Sequence, residues 1–427
     1  MLLTGQYVRP RTGPPLVERL PFQVATVGLT ALLIPLLSPL VTGTLQTSLA
    51  GTHVTQLAAL AAALIALLAF RRVTGYPGTR GFAYIMPACS VTFGIAATVL
   101  LELRLPYSGS MLLTGYLAAT AVIFLLWYLG ERSGPRRMYF VPHGNLSIIP
   151  DTPRVEWIPL SRPELPLDPG GVIVADLRHD HGDEWERLLA DAALSGRPVY
   201  HTKQLHESLT GRVDIEHLSE NSFGSLIPNR AYHSVKRAVD ILACLLLLPI
   251  LALPMLVVAW LIRRGSPGPV FFWQDRMGYR GRPFRVVKFR TMTIDPPPES
   301  DVSAAITRAD DRRITGLGRF LRKSRIDELP QLFNVLKGEM SWIGPRPEAM
   351  PLSRWYAEEL PFYVYRHIVR PGITGWAQVN QGHVAELGDV NVKLHYDFYY
   401  IKHFSAWLDV LIAMRTCSTM LTGFGAR

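Results

Sequence analysis

The chain has 427 residues, 48% of them hydrophobic, with 44 Lys and Arg against 34 Asp and Glu, giving a formal net charge of +10. A mean hydropathy of +0.17 excludes a wholly soluble protein, and the length exceeds one simple domain. The basic balance favours anionic partners, while three scattered cysteines, Cys89, Cys244 and Cys417, exclude a disulfide frame or a CxxC zinc site.

Apolar runs at 21–40, 54–70, 82–101 and 111–130 are each near the roughly 20 residues that a helix needs to cross the hydrocarbon. Four such runs in succession argue against buried helices of a soluble core. Arginines mark one set of flanks: Arg9, Arg11 and Arg19 before the first run, Arg71, Arg72 and Arg80 after the second, Arg132, Arg136 and Arg137 after the fourth. The loop at 41–53 has no Lys or Arg and that at 102–110 only Arg104. The positive-inside rule then places the N-terminus and everything beyond 130 in the cytoplasm.

Residues 135–230 are polar and proline-rich with short apolar stretches. Strands are expected at 138–141, 171–175 and 197–200, with an amphipathic helix over 184–194, which makes a small α/β unit. No G-x-G-x-x-G occurs there, so a dinucleotide site is poorly supported. His179, His181, His201, His206 and His217 lack metal-ligand spacing and read as solvated loop histidines.

A fifth apolar run, 241–262, is also long enough to cross. Lys236 and Arg237 precede it, Arg263 and Arg264 follow it, and Pro249 and Pro254 interrupt it. A crossing helix would leave one basic pair outside, whereas a bent helix that dips into one leaflet and returns keeps both inside. A re-entrant hairpin broken at Pro249 is the expectation.

From Arg263 to Lys337 the sequence holds sixteen Lys and Arg against eight Asp and Glu. Its aromatic residues are not interleaved as stacking platforms, so anionic lipid and phosphate fit better than nucleic acid. Within it, Asp327 and Glu328 stand side by side among Arg322, Lys323 and Arg325, and Arg346 follows between Pro345 and Pro347. Adjacent carboxylates can divide labour, one attacking phosphorus while the other holds a divalent metal. Arg322 and Arg346 are planar forks suited to phosphate oxygens. Lys288 and Arg290 alternate along a strand and share a face, as phosphate ligands or as a solvated edge. Asp240 is expected to pair with Arg237 or another base, and Asp295 and Asp310 to join the polar network. The stretch 404–424 reads as an interfacial helix more than a span, with a helix packed in the soluble core nearly as good a reading.

Several ordered motifs carry a resemblance. They are Gly268-Pro269-Val270-Phe271-Phe272-x-Gln274-x-Arg276-x-Gly278, Lys288-Phe289-Arg290-x-Met292, Asp327-Glu328-Leu329-Pro330-Gln331-Leu332, Gly344-Pro345-Arg346-Pro347 and Arg370-Pro371-Gly372-Ile373-Thr374-Gly375. Together they resemble the bacterial sugar transferases that act as polyprenyl-phosphate hexose-1-phosphate transferases, the monotopic phosphoglycosyl transferases, over about 230–420.

The resemblance implies three parts: a membrane α-helical bundle over 1–134, a small Rossmann-like α/β domain over 135–230, and a mixed α/β monotopic catalytic domain over 231–427, with the re-entrant helix at about 236–264. It implies transfer of hexose-1-phosphate from a UDP-sugar, glucose or galactose, to undecaprenyl phosphate with release of UMP. Such a reaction initiates exopolysaccharide, capsule or O-antigen repeat units. By the same resemblance Asp327 is the nucleophile, Glu328 with Asp327 binds Mg²⁺, and Arg322, Arg346, Lys288 and Arg290 hold phosphate. Implied partners are inner-membrane lipids and a second copy in a homodimer, but no nucleic acid. The implied location is the bacterial inner membrane with the catalytic domain facing the cytoplasm. Leu248 replaces the serine that often precedes the helix-breaking proline, and Thr291 replaces another serine while keeping its hydroxyl.

Overall fold

A computed structural model describes residues 16–37, 49–75, 81–132, 136–145, 155–168, 171–215, 228, 230–293, 313–381 and 386–422. Internal contacts divide the chain into two units, Met1–Gly211 and Arg212–Arg427.

The first unit opens with α1 (Leu20–Leu33), continued as a 3-10 turn over Ile34–Leu37, then α2 (Leu49–Thr74), α3 (Phe82–Glu102) and α4 (Gly109–Glu131). The expected runs two to four become helices long and apolar enough to cross a membrane. The first is shorter, an apolar stretch of Leu20–Leu36. Small residues face inward: Ala31, Ala59, Ala63, Ala66 and Ala119 are fully buried, while Leu29, Leu57, Met86, Ile95 and Leu117 point outward. Leu67, Ile85, Met111 and Ile123 are buried beside these alanines, and an apolar exterior with small residues at close helix approaches is a pattern of helices packed in lipid. One buried polar contact ties two helices together, where Thr55 Oγ1 accepts the Ser108 amide at 2.9 Å.

The same unit contains β1 (Arg136–Phe140), β2 (Val155–Pro159), β3 (Val172–Ala175), α5 (Gly182–Leu194), β4 (Val199–His201) and α6 (Thr202–Thr210). The strands form one parallel sheet in the order β2-β1-β3-β4. Side chains alternate across the pleat. Ile173 and Ala175 join Leu188 and Ala192 of α5, whereas Val174 meets Leu205 of α6. Strand β2 and helix α6 were not expected from the sequence, because β2 is isolated between polar stretches and α6 has only one short apolar turn. His181 is buried, not solvated, with Nε2 2.7 Å from the Asp176 carbonyl. His179 is exposed, as expected, and His217 lies outside the described residues. Among the described residues no three His, Cys, Asp or Glu are grouped to hold a metal.

The second unit is organised on α7 (Arg230–Gly265), a continuous 36-residue helix that contains Pro249 and Pro254. Its length, about 54 Å at 1.5 Å per residue, exceeds the hydrocarbon thickness. One face is engaged from end to end. Lys236 Nζ donates to Asp409 at 2.7 Å, the Trp342 amide donates to Asp240, and Cys244 packs on Val286, Leu332 and Met340. Farther along, Met255 and Ile262 pack on Phe289 and Leu321. The opposite face carries Leu242, Leu246, Ile250, Leu253, Leu256 and Trp260, all exposed. Pro249 and Pro254 also lie on that outer face. Each proline removes one backbone hydrogen bond of the helix, which stays continuous across both.

Next come the antiparallel hairpin of β5 (Phe271–Met277) and β6 (Pro283–Phe289), then α8 (Gly316–Lys323), a 3-10 turn over Ile326–Gln331 and α9 (Leu332–Lys337). Strand β7 (Ser341–Ile343) pairs in parallel with β8 (Gly372–Thr374). Between them lie α10 (Met350–Glu359) and a 3-10 turn over Tyr363–Ile368. Helices α11 (Trp376–Asn380), α12 (Leu387–Lys402) and α13 (Ala406–Thr422) close the unit. Helix α13 settles the choice left open for 404–424: Leu408, Leu411 and Ile412 are fully buried. Asp409 is its polar anchor, accepting from Lys236, from Tyr400 Oη at 2.9 Å and from Tyr232 Oη. The helix packs in the core, with Trp407 and Val410 on its outer side. Asp240 meets Trp342 rather than the expected base, its backbone carbonyl accepting the indole N–H at 3.2 Å.

Candidate active site

Three local devices bring the charged residues together. The first is the seat of α8: Thr315 Oγ1 caps the helix by accepting the Gly318 amide at 2.9 Å. A Cβ at Gly318 would stand 2.1 Å from the Thr291 carbonyl oxygen, so only glycine lets the helix start sit on this strand end. That contact brings Arg322 Nε to the Thr291 hydroxyl at 2.9 Å.

The second device is a sharp reversal. Arg325 has φ of +55°, a left-handed conformation that costs a non-glycine residue about 1–3 kcal/mol. It turns the chain from α8 into the 3-10 turn that carries Asp327 and Glu328. Ile326 and Leu329 of this turn pack under α7, and Leu332 enters the neighbouring cluster. Asn334 stitches α9 to β6, accepting the Val287 amide at 3.2 Å and donating to the Arg285 carbonyl at 2.7 Å. Lys288 therefore stands over the turn.

The third device delivers Arg346. The Gly344 amide donates to the Thr374 carbonyl and the Gly372 amide to the Pro345 carbonyl. A Cβ on Gly344 would lie 2.3 Å from the Arg370 carbonyl oxygen, so the two chain segments touch backbone to backbone.

The result is an asymmetric pair of carboxylates. Glu328, 7% exposed, accepts Lys288 Nζ at 2.9 Å and Arg346 Nη2 at 2.7 Å, both on Oε1. Its Oε2 is more open, with Arg346 Nη1 at 3.5 Å and Arg325 Nη1 at 4.0 Å. Burial pushes the Glu328 carboxyl up, but the Arg346 and Lys288 charges overcome it and hold it well below the usual carboxylate range. Asp327 is 8% exposed and makes no hydrogen bond or ion pair with any described residue. Burial raises its carboxyl above the ordinary value, against the pull of Lys288, and the neighbouring Glu328 charge adds to the rise. Burial likewise lowers the Lys288 ammonium, with Glu328 opposing.

Of the residues expected from sequence, Asp327, Glu328, Lys288 and Arg346 therefore meet, and Arg322 approaches from α8, its charge acting on Asp327. Arg290 takes another place. Its guanidinium donates to the Pro267 carbonyl at 2.8 Å and to the Ser266 carbonyl and hydroxyl at 2.9 and 2.7 Å, closing the junction between α7 and β5. Pro249 lies within α7, and Asp295 and Asp310 fall outside the described residues. Sequence reasoning gave no role to Arg366 or Glu348, and read the stretch from Lys393 to Tyr400 only as shaping the acceptor or sugar region; Arg366 with Asp397 and Lys393 with Glu348 form two mostly buried ion pairs beside Arg346. These partners are 31 and 45 residues apart, and no motif spacing announces them.

A carboxylate fixed by two cations next to a buried carboxylate that no described residue hydrogen-bonds is suited to nucleophilic attack on an anionic centre. The cations neutralise the electrophile, and the partnerless oxygen has no hydrogen bond to break. The donor set also suits magnesium, which takes one or two carboxylates and fills its shell with water and substrate phosphate. Asp327 and the open Oε2 of Glu328 would supply those two.

Comparison with known proteins identifies the family. The profile described as bacterial sugar transferase matches residues 231–423. A protein of Aeromonas hydrophila, named UDP-N-acetylgalactosamine-undecaprenyl-phosphate N-acetylgalactosaminephosphotransferase, is 45% identical over 370 residues, 86% of this chain and 87% of its own. The UDP-glucose:undecaprenyl-phosphate glucose-1-phosphate transferase of Escherichia coli (strain K12) is 40% identical over 184 residues, 43% of this chain and 39% of its own. The undecaprenyl-phosphate galactose phosphotransferase of Salmonella typhimurium is 32% identical over 247 residues, covering 54% and 48%. Matched along nearly its whole length by such a relative, and carrying the paired carboxylates within the profile's span, the chain belongs to the bacterial sugar transferases.

Proposed function

We propose that the protein transfers a sugar-1-phosphate from a UDP-sugar to undecaprenyl phosphate through a covalent phosphosugar on Asp327, releasing UMP. The observation that carries this reading is the inequality of the two carboxylates: Glu328 is clamped by Lys288 and Arg346, whereas Asp327 is buried with no hydrogen bond or ion pair to any described residue. In the first half-reaction an Asp327 oxygen forms a bond to the β-phosphorus of the donor, the bond from that phosphorus to the bridging oxygen breaks, and UMP departs with that oxygen. In the second, a phosphate oxygen of the lipid attacks the same phosphorus and Asp327 leaves as carboxylate. Lys288, Arg322 and Arg346 lower the repulsion between a carboxylate and a diphosphate. Magnesium, when bound at Asp327 and Glu328, supplies further neutralisation of that charge.

The lipid phosphate lies at head-group depth, which fits the outer face of α7. Both ends of this helix engage the same polar unit, at Lys236–Asp409 and at Ser266–Arg290. A straight crossing would carry one of those ends to the far side of the bilayer. The reading is a helix dipping into one leaflet with its basic ends returned to the surface, in the inner membrane and with the site facing the cytoplasm as the loop arginines require.

The nearly full-length relative acts on UDP-N-acetylgalactosamine by its name, so this donor joins glucose and galactose as a candidate. Purified protein in nanodiscs with Mg²⁺ and undecaprenyl phosphate should release UMP from one of UDP-N-acetylgalactosamine, UDP-glucose and UDP-galactose. Release of UDP instead would mean ordinary glycosyl transfer and discard the phosphosugar mechanism.

A further inference from the structure

Arg346, Pro347 and Glu348 follow one another in the chain, and each is gripped by a different cation from a different element. Arg366, in the 3-10 turn over Tyr363–Ile368, donates Nη2 to the Arg346 carbonyl at 2.9 Å. Arg276 of β5 donates to the Pro347 carbonyl. Lys393 of α12 pairs with the Glu348 carboxylate. The three grips immobilise the backbone from which the Arg346 side chain reaches Glu328.

Arg366 is the most enclosed of the three, at 3% exposure. Its Nε and Nη2 donate to one oxygen of buried Asp397 at 3.0 and 2.8 Å, and Nη1 donates to Tyr363 Oη at 3.0 Å. Burying an ion pair is expensive, and replacing one with apolar packing often leaves stability unchanged or improved. This pair has no contact with Asp327 or Glu328. What it does is set a fork with one prong on a fixed carboxylate and the other on the main chain of Arg346. A planar guanidinium can hold both acceptors at once, whereas an ammonium is a single point charge on a flexible stem. An error of about 1 Å in such a positioning element can cost on the order of a hundredfold in rate.

We propose that Arg366, held by Asp397, is a positioning residue that fixes the reach of Arg346 to Glu328 and to the donor's phosphate. This rests on the reading of Arg346 as a phosphate-neutralising group. The test is a double-mutant cycle on the full chain in nanodiscs, with UMP release from the UDP-sugar panel as readout. If Arg366 acts through Arg346, then Arg366→Lys and Arg346→Ala each lower kcat/KM by at least about tenfold, with the same division between KM and kcat. The double variant is then no worse than Arg346→Ala within about twofold. A residue that merely supported the fold would multiply its loss onto that of Arg346→Ala, and a multiplicative double variant overturns the proposal. Full activity in Arg366→Lys beside an impaired Arg346→Ala also overturns it. Full activity in Arg346→Ala would discard the reading of Arg346 itself, a separate failure. Should Arg366→Lys not fold, Asp397→Asn keeps an oxygen acceptor for Arg366 and enters the same cycle with the same expectation, a milder loss that vanishes in the Arg346→Ala background.

Discussion

Asp327→Asn abolishes turnover and at the same time raises the melting temperature. The two effects share one cause. Asp327 is buried with no hydrogen bond or ion pair to a described residue, and burial pushes its carboxyl above the ordinary range against the pull of Lys288, Arg346 and Arg322. A group whose folded pKa exceeds its unfolded value of about 3.9 stabilises the fold below that value. The contribution disappears as pH rises through the folded pKa. At neutral pH the ionised Asp327 is therefore a net cost, tolerated because the chemistry needs a carboxylate. Asparagine keeps the shape and removes the charge, and a neutral amide is less costly to bury than a carboxylate. A relief of about 1 kcal/mol raises the midpoint by roughly 2–4 °C in a unit of this size. Calorimetry of the two proteins in one detergent checks the sign. A lower midpoint for Asp327→Asn would mean that the aspartate is stabilised by contacts the account does not contain.

Glu328→Gln has the opposite effect on stability. Glu328 is the common partner of Lys288 and Arg346, and the amide removes the carboxylate that directly pairs with both half-buried cations. Removing one member of a buried ion pair costs about 3–5 kcal/mol, so the midpoint falls by several degrees while activity is also lost. The pH dependence follows the ordinary carboxylate sign. Because the Glu328 carboxyl is held well below its usual range, its contribution is complete above the unfolded value of about 4.3. It is lost only as pH falls through the lower folded value. Wild-type protein should thus show no Glu328-dependent loss between pH 5 and pH 8, and the gap to Glu328→Gln should be constant there, checked by unfolding curves at each pH. Equal midpoints for the two neighbouring substitutions would remove the division of labour on which the functional reading rests.

Much of this was legible in the chain. The grouping of Asp327, Glu328, Arg346 and Lys288 was readable because residue type and local motif single out these charged side chains. The apolar face of α7 was readable because 241–262 is long and its basic flanks are symmetrical. Arg290 was not. It shares a strand face with Lys288, but the pairing of Phe271 with Phe289 sets it beside Ser266 and Pro267, whose carbonyls take its fork. His181 was misread because its burial depends on the Asp176 carbonyl at the end of β3, a tertiary partner with no spacing signature. Arg366 with Asp397 and Lys236 with Asp409 were invisible for the same reason: 31 and 173 residues separate the partners, and only the folded chain brings them together.

The central claim is that Asp327 becomes covalently attached to the sugar phosphate, and one measurement addresses it directly. Full-length protein is mixed with Mg²⁺ and a UDP-sugar that supports UMP release, without lipid acceptor, then acid-quenched, digested and analysed by mass spectrometry. The account predicts a hexose-phosphate or N-acetylhexosamine-phosphate adduct on the peptide containing Asp327, lost on addition of undecaprenyl phosphate and absent from Asp327→Asn. UMP release at full rate in the presence of acceptor, with no adduct at any time in its absence, would contradict it and point to direct displacement by the lipid phosphate.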